Sequence, residues 1–257
     1  MLKKYLIFTL LILSLTGFKN LYSSEKDLLK VNWSFKSFTG KFDRSSLQRG
    51  YQVYKEVCAS CHSMRLLSYR NLGEAGGPEF TVNEVKNIAA SFEVTDGPDD
   101  QGEMFTRAGR PSDRFVSPYP NIQAATAANG GAYPPDMSVL VKSRKGGANY
   151  IYSVLMGYEE PPKDFKLDDG VYYNEYMDGN KIKMSNPLSE DIIESSDGTK
   201  ASIDQMAKDV TTFLQWTAEP HLETRHKLGF RVIIYLSVLT ILVYFSMKKI
   251  WSRIKTK

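Results

Sequence analysis

The only two cysteines of this 257-residue chain are Cys58 and Cys61, and a histidine, His62, follows directly. They belong to the segment "VCASCHSMR", residues 57–65. Thiols at this spacing are typical of three kinds of site: a redox-active disulfide, half of a zinc site, and the C-x-x-C-H motif that attaches a c-type haem. Each chemistry needs different surroundings, so the rest of the sequence can discriminate between them.

The surroundings of the motif favour covalent haem attachment. A thioredoxin-type disulfide needs a βαβ context, whereas an amphipathic helical segment precedes Cys58 here. Zinc needs four ligands, and the remaining histidines, His221 and His226, lie far along the chain beside a hydrophobic segment. We therefore predict one covalently bound haem c, with thioether bonds from Cys58 and Cys61 and with His62 as an axial ligand of the iron.

The second axial ligand decides what the iron can do. Histidine and methionine together close the iron to substrates and are typical of electron carriers, whereas an open position is typical of a haem enzyme or a gas sensor. Of the nine methionines, Met184 is the preferred candidate, because "KIKMSNPLSE" is polar and contains Pro187, which predicts a loop. Met64 lies too close to His62, and Met206 lies on the apolar face of a predicted helix. Ordinary packing explains a loop methionine equally well at this stage.

A predicted helix leads into the motif. Residues 45–57, "SSLQRGYQVYKEV", carry apolar side chains at helical spacing. Ser45 and Gln48 predict a capping box at its N-terminus. Gly50 lies inside this helix, where glycine is destabilising by up to ~1 kcal/mol. We therefore predict that another element approaches the helix closely at Gly50.

The predicted partner of that helix lies much further along the chain, at residues 202–220. Residues 202–220, "SIDQMAKDVTTFLQWTAEP", have one apolar face at helical spacing, and Ser202 and Gln205 predict a capping box at their start. On that face, Phe213 or Trp216 is expected to pack on Gly50.

The two ends of the chain are hydrophobic and basic. Residues 1–24 have a lysine pair before a short apolar run, which predicts a secretory signal peptide, with an uncleaved N-terminal anchor as the alternative. Residues 228–247 are 20 mostly apolar positions with one charge, Arg231, and residues 248–257 form a basic tail, which favours the cytoplasmic side. We therefore predict a single-pass protein of the bacterial inner membrane. Residues 25–227 would form a haem domain on the periplasmic side, and the C-terminus would be cytoplasmic.

The exported part is slightly acidic. Residues 25–227 hold 24 basic and 29 acidic residues, a net charge of −5, so the pI near 8.8 arises from the two ends and gives no support for nucleic-acid binding. Within this part, residues 74–103 hold eight acidic residues against one basic residue, Lys86. Acidic surface beside a haem would steer a basic protein partner, although a plain solvated face fits the same composition.

Over longer segments the sequence resembles the cytochrome c1 family of bacterial, alphaproteobacterial or mitochondrial type, the haem c subunits of ubiquinol–cytochrome c reductase. The matching segments cover most of residues 33–250 in order and include "RGYQVYKEVCASCHSM", "EVTDGPDDQGEMF", "AANGGAYPPDMS", "YIYSVLMGYEEPP" and "DGTKASIDQMAKDVTTFLQWTAEP". The resemblance implies a mainly α fold: a cytochrome c-like haem domain with long loops plus one C-terminal transmembrane helix. It also implies Cys58 and Cys61 as the covalent haem anchors. It implies His62 and Met184 as the axial ligands of the iron.

The resemblance implies a role in respiratory electron transport as well. The exported domain would take one electron from the Rieske iron–sulfur protein and pass it to cytochrome c, within a dimeric complex that contains cytochrome b. The acidic segment around residues 96–103 would belong to the face that receives cytochrome c. One rival is a monohaem electron-carrier subunit of another oxidase or dehydrogenase. A second rival is an anchored haem enzyme or sensor with an open iron site, which rapid binding of cyanide or carbon monoxide would reveal.

One position departs from the family pattern. In "QAATAANGG" the family commonly has arginine where this chain has Thr126, and that arginine helps to hold a haem propionate. A threonine can donate a hydrogen bond but brings no charge. We expect Arg110 or Arg114 to supply a cation instead. Without the family's arginine, a lower reduction potential is expected, because oxidised haem is the more positive state.

Overall fold

The structure, a computed structural model, describes residues 26–254, so the predicted signal peptide in residues 1–24 and the last three residues of the predicted basic tail lie outside it. Between these limits the chain is mostly helical, with two antiparallel two-stranded ribbons, which confirms the mainly α class. The α-helices are α1 (Arg44–Val53), α2 (Val82–Ala90), α3 (Ile122–Ala128), α4 (Ala148–Met156), α5 (Ile203–Ala218) and α6 (Leu222–Ile254). The strands are β1 (Glu93–Asp96), β2 (Phe105–Ala108), β3 (Tyr172–Tyr173) and β4 (Lys181–Ile182). A π-helical turn (Tyr54–Cys58) and two short 3₁₀ turns (Tyr69–Gly73 and Asp178–Asn180) complete the helical elements.

The start of α1 differs from the prediction. The carboxylate of Asp43 caps the helix by accepting a hydrogen bond from the backbone N–H of Ser46 at 3.0 Å, and the hydroxyl of Ser45 donates to the same oxygen. The predicted capping box of Ser45 and Gln48 is therefore wrong, since the amide of Gln48 donates instead to the carbonyl of Pro78. A carboxylate both accepts the free N–H groups and interacts favourably with the helix dipole, so Asp43 is the better cap.

Helix α1 packs against α5 at Gly50, as predicted. A Cβ atom added to Gly50 would lie 2.1 Å from the carbonyl oxygen of Asp209 and 2.7 Å from the Cβ of Phe213. The two helix backbones therefore approach too closely at this point for any residue with a side chain. The capping box predicted for α5 is confirmed only in its first half: the hydroxyl of Ser202 accepts from the backbone N–H of Gln205 at 3.2 Å, whereas the side-chain amide of Gln205 donates to Asp209.

A buried carboxylate locks this crossing. Asp209 is 2% exposed and accepts hydrogen bonds from the hydroxyl of Ser46 at 2.6 Å and from the guanidinium of Arg49 at 2.7 Å. The side-chain amide of Gln205 donates to it as well, at 3.0 Å. These hydrogen bonds offset the free-energy cost of removing the Asp209 carboxylate from water. They also fix how the two helices align.

An aromatic cluster fills the space behind the end of α1. The ring of Tyr54 lies 6.1 Å from that of Phe115 and 5.9 Å from that of Phe213, and Tyr69 stacks on Phe115 at 4.7 Å. All four residues are at most 5% exposed. Rings of this size remove a large apolar area from water, so the cluster gives the cysteine motif a rigid support.

The two ribbons carry loops rather than form a core. In the first, Glu93 of β1 lies opposite Ala108 of β2, and the loop between the strands, residues 97–104, contains the end of the acidic segment. In the second, Tyr172 of β3 lies opposite Ile182 of β4. The chain leaves β4 only two residues before Met184, so this second ribbon determines where that methionine lies.

Helix α6 contains the predicted membrane span. It runs for 33 residues, about 50 Å, and so exceeds the ~30 Å hydrocarbon core of a bilayer. Of the helices in residues 26–254, it alone has the length and composition to cross a membrane. Its first turn is tied to the rest of the fold, because the buried carboxylate of Glu223 accepts from the backbone N–H of Phe42 and from Arg44, both at 3.0 Å. The domain boundaries at 227/228 and 247/248 stay predictions.

Candidate functional site

The cysteine motif lies on a widened turn at the end of α1. The last regular residue of α1 is Val53, and the following turn, Tyr54–Cys58, is π-helical. The backbone N–H groups of Cys61 and His62 then both donate to the carbonyl of Cys58, at 3.2 and 2.9 Å. Single π-helical turns are frequent at functional sites, because the extra residue redirects the side chains that follow. Here the turn brings both thiols and the imidazole into one compact loop.

The imidazole of His62 is buried and fixed in orientation. It is 9% exposed, and its Nδ1 lies 2.8 Å from the carbonyl oxygen of Pro135. A carbonyl can only accept, so Nδ1 carries the proton and Nε2 keeps its lone pair. Burial lowers the pKa of His62, and the hydrogen bond to Pro135 acts in the opposite direction but is the weaker effect. The lowered pKa favours the neutral ring. A neutral imidazole whose second nitrogen is bonded to a carbonyl is the usual form of a metal-ligating histidine.

Both thiols are free, and the pKa of one of them, Cys58, is raised. Burial, with a further contribution from Cys61, raises the pKa of the Cys58 thiol to about 12. A thiol that stays protonated is a poor nucleophile, since disulfide exchange requires the thiolate. In residues 26–254, no group of three or more His, Cys, Asp or Glu side chains is arranged to hold a metal ion. The disulfide and zinc alternatives therefore find no support in these surroundings.

A network around Asp136 holds the loop that carries Pro135. The carboxylate of Asp136 accepts from the hydroxyl of Ser63 at 2.8 Å and from the backbone N–H of Arg65 at 2.9 Å. Its other oxygen accepts from the backbone N–H of Ser138 at 2.9 Å. Burial acts to raise the pKa of Asp136, but these hydrogen bonds outweigh it and the pKa is lowered. Sequence reasoning missed this role, although Asp136 lies in "AANGGAYPPDMS", one of the segments that carry the family resemblance.

A cavity of about 280 Å³ opens beside Cys61. Its walls come from the motif, from the chain before and within α3, and from the loop before Pro135. The lining residues are Cys61, Ser63, Arg65, Ser117, Pro118, Tyr119, Pro120, Asn121, Ile122, Ala125, Tyr133 and Pro134. The lining combines rings and prolines with a guanidinium and an amide, which suits a flat apolar group that carries carboxylates at one edge.

Met184 is not among these lining residues, but its loop adjoins them. The residue is half-buried in a bend just after β4. The ammonium of Lys183 donates to the carbonyl of Gly130 at 2.9 Å, and Gly130 lies three residues before Tyr133 of the cavity wall. On its other side, the hydroxyl of Tyr158 donates to the backbone carbonyl of Met184 at 3.0 Å. The structure therefore anchors the loop of Met184 next to the segment that orients His62.

The hydroxyl of Thr126 is engaged within its own helix. It donates to the carbonyl of Ile122, one turn back in α3, at 2.8 Å. Neither Arg110 nor Arg114 lines the cavity, and the guanidinium of Arg114 donates to the carbonyl of Leu66. Arg65 does line the cavity, and its guanidinium also pairs with Asp136 at 3.3 Å. The assignment of a propionate partner to Arg110 or Arg114 stays a prediction, and Arg65 joins them as a candidate.

The acidic segment forms the tip of the first ribbon. Near its base, Arg107 pairs with both Asp96 and Asp113, which neutralises part of the negative charge. At the tip, Asp99 accepts from the backbone N–H groups of two following residues, and the tip is exposed to solvent. The remaining carboxylates of the tip, Asp100 and Glu103, are also exposed. The loop is therefore ordered by its own hydrogen bonds and still presents negative charge.

Comparison with known proteins agrees with this geometry. The family model described as "Cytochrome C1 family" matches residues 33–254. A cytochrome c1 of Rhodospirillum rubrum is 41% identical over an alignment of 269 positions, gaps included, and the alignment covers 98% of each chain. The "Cytochrome c1, heme protein, mitochondrial" of Saccharomyces cerevisiae is 48% identical over 226 residues, 88% of this chain and 72% of the relative. A "Cytochrome b/c1" of Bradyrhizobium diazoefficiens is 48% identical over 239 residues, 86% of this chain but only 35% of that longer relative. The chain belongs to the cytochrome c1 family.

Proposed function

We propose that this chain binds one haem c covalently through Cys58 and Cys61, with His62 and Met184 as the axial ligands of the iron. The observation that carries the proposal is the hydrogen bond between Nδ1 of His62 and the carbonyl of Pro135, which leaves Nε2 free to ligate. The adjacent free thiols and the neighbouring cavity fit the same group. Bound in this way, haem c supplies a one-electron couple between ferric and ferrous iron.

The protein groups around that site would do three things. His62 is buried and Cys58 is partly buried, so both would limit the access of water to one side of the site. Met184 would be the second ligand of the iron, which would leave no position for a substrate. Arg65 brings a cation to the cavity, where it would offset the charge of a propionate. These are the requirements of an electron carrier rather than of an enzyme that transforms a bound substrate.

We further propose that the chain is a subunit of a respiratory ubiquinol–cytochrome c reductase. It would receive one electron from the Rieske iron–sulfur protein and pass it to cytochrome c. The relative named "Cytochrome b/c1" supports cytochrome b as a partner, because its name joins the two cytochromes in a single protein. The acidic tip at residues 96–103 supports a basic cytochrome c as the acceptor, since opposite charges accelerate encounter. Dimerisation of the complex is part of the proposal.

The proposed location is the bacterial inner membrane. Helix α6 supports a single crossing, because its apolar side chains are exposed over most of its length. The basic residues that follow the apolar stretch, beginning at Lys248 and Lys249, support a cytoplasmic C-terminus. The haem domain would then lie on the periplasmic side, which is also where a signal peptide in residues 1–24 would deliver it.

The test is purification of the tagged full chain from its own membrane in mild detergent, followed by reduced-minus-oxidised spectra. We expect a c-type band together with b-type haem and the signal of a Rieske iron–sulfur cluster. A c-type band without those partners would contradict the assignment to this complex and would favour a carrier of another oxidase or dehydrogenase. Rapid binding of cyanide or carbon monoxide to the native protein would contradict a closed iron site and favour the enzyme or sensor.

A further inference from the structure

The loop of Met184 is mounted on an internal frame that begins at the C-terminal end of α4. The centre of the frame is Asn174, which is fully buried. Its side-chain amide donates to the carbonyl of Val154 in α4 at 2.8 Å, and its side-chain oxygen accepts from the backbone N–H of Tyr176 at 3.1 Å. Its backbone N–H donates to the carbonyl of Asn180, just before β4. A buried amide with all these groups satisfied is costly to displace, so it joins the second ribbon firmly to α4.

The frame continues through the two residues that follow α4. At Gly157 an added Cβ would lie 2.5 Å from the ring of Tyr176 and 2.9 Å from the side-chain oxygen of Asn174, so the backbone itself packs on the ribbon. The carbonyl of Gly157 also accepts from the N–H of Glu175 at 3.0 Å. The next residue, Tyr158, forms a single antiparallel bridge with Asn174. The backbone of Tyr158 is therefore held by the same ribbon that leads to Met184.

The side chain of Tyr158 connects this frame to Met184. Its hydroxyl donates to the backbone carbonyl of Met184 at 3.0 Å. On the far side of the loop, Lys183 donates to the carbonyl of Gly130 at 2.9 Å. The bend at Met184 is thus bonded from two directions, and only one of these bonds acts on the methionine itself.

We propose that Tyr158 is the positioning residue for Met184: its hydroxyl holds the methionine backbone so that the sulfur stays at the iron. The inference rests on the proposed role of Met184 as an axial ligand. A thioether is a weak, uncharged donor, so its bond to iron competes poorly with other ligands unless the protein holds it in place. A hydrogen bond to the backbone of the ligand residue lowers the population of the open loop, and an external ligand binds only to that open state.

The test is Tyr158→Phe in the full haem-loaded chain in detergent, with imidazole as the competing ligand. The readout is the weak red charge-transfer band that marks methionine sulfur on ferric haem, titrated against imidazole. Loss of one hydrogen bond is expected to raise the apparent affinity for imidazole about 3- to 10-fold. Tyr172→Phe is the matched control, because it removes an exposed hydroxyl from the same ribbon, and it should leave the titration unchanged.

Two further variants separate the possible failures. Met184→Leu should abolish the band; if the band persists, the proposed axial ligand is wrong and the inference falls with it. If Met184→Leu abolishes the band but Tyr158→Phe titrates like the wild type, only the positioning role is refuted. Lys183→Leu removes the other bond to the loop without adding a second sulfur, and because that bond is exposed we expect a smaller increase in imidazole affinity than for Tyr158→Phe. An equal or larger effect of Lys183→Leu would also overturn the proposal.

Discussion

The crossing of α1 and α5 makes Gly50→Ala a demanding test of the fold. An alanine at this position would place its Cβ 2.1 Å from the carbonyl oxygen of Asp209, whereas carbon and oxygen in contact are normally separated by about 3.3 Å. The nearest atoms belong to the α5 backbone, so no side-chain rotation relieves the overlap. The two helices must separate by roughly 1 Å, and the hydrogen bonds from Ser46 and Arg49 to Asp209 must lengthen with them.

The expected change in stability follows from two opposing effects. Overpacking of this kind destabilises a core by about 1–3 kcal/mol, and the absence of a yielding side chain puts Gly50→Ala near the top of that range. Alanine in a helix interior is favoured over glycine by about 1 kcal/mol, which offsets part of the loss. The net expectation is a loss of about 2 kcal/mol, equivalent to a fall in Tm of about 4–8 °C for a protein of this size.

The assay is thermal unfolding of the full chain in detergent, followed by near-ultraviolet circular dichroism, which reports the packing of the aromatic cluster. Gly229→Ala is the matched control. It makes the same substitution inside helix α6, where an added Cβ meets no other atom within 4 Å, so its Tm should stay the same or rise slightly. An unchanged Tm for Gly50→Ala would refute the close crossing. Equal losses in both variants would show that the effect does not come from the contact with Asp209.

Three other perturbations test the surroundings of the site. A hydrogen-bonded ion pair with Arg107 lowers the pKa of Asp113 from 3.8 to about 2, so the pair stabilises the fold fully above pH about 4 and is lost as the pH falls towards 2. Asp113→Asn should therefore lower the Tm at pH 7 and have little effect near pH 2. Glu223→Ala leaves the N–H of Phe42 without its acceptor and should lower the free energy of unfolding by about 1–3 kcal/mol, with a smaller loss for Glu223→Gln. Thr126→Arg should raise the reduction potential in a redox titration, and an unchanged or lower potential would refute the electrostatic argument.

The features that the sequence predicts correctly depend on local pattern. The close approach at Gly50 follows from one glycine in an otherwise helical segment, and the buried face of α5 follows from its helical spacing. The long apolar C-terminal helix follows from composition alone. The cap of α1 is an instructive failure, because Asp43, Ser45 and Ser46 are all good capping residues. Which of them acts depends on where the chain turns into the helix, and that is a tertiary property.

The features that sequence reasoning misses join segments far apart in the chain. Pro135 meets His62 across 73 positions, and Asp136 meets Ser63 across the same separation. A backbone carbonyl carries no residue-specific signal, so the hydrogen bond to Pro135 has no counterpart in the sequence. Tyr158 is similar, since its hydroxyl reaches a backbone atom 26 residues away. For His62 and Met184 the sequence predicts the ligand residue, and only the fold identifies what holds it.

The two proposed ligands are held in different ways, and the difference has a chemical consequence. His62 directly follows the two cysteines that are proposed to anchor the haem, so its position relative to the haem would be set by the covalent bonds as well as by Pro135. Met184 has no such covalent tie and depends on the hydrogen-bonded frame that ends at Tyr158. Opening the methionine side needs only the loss of weak bonds, whereas opening the histidine side requires a change in the attached turn. Any exchange of ligands in this protein should therefore begin at Met184, and the strength of its frame should limit how fast it occurs.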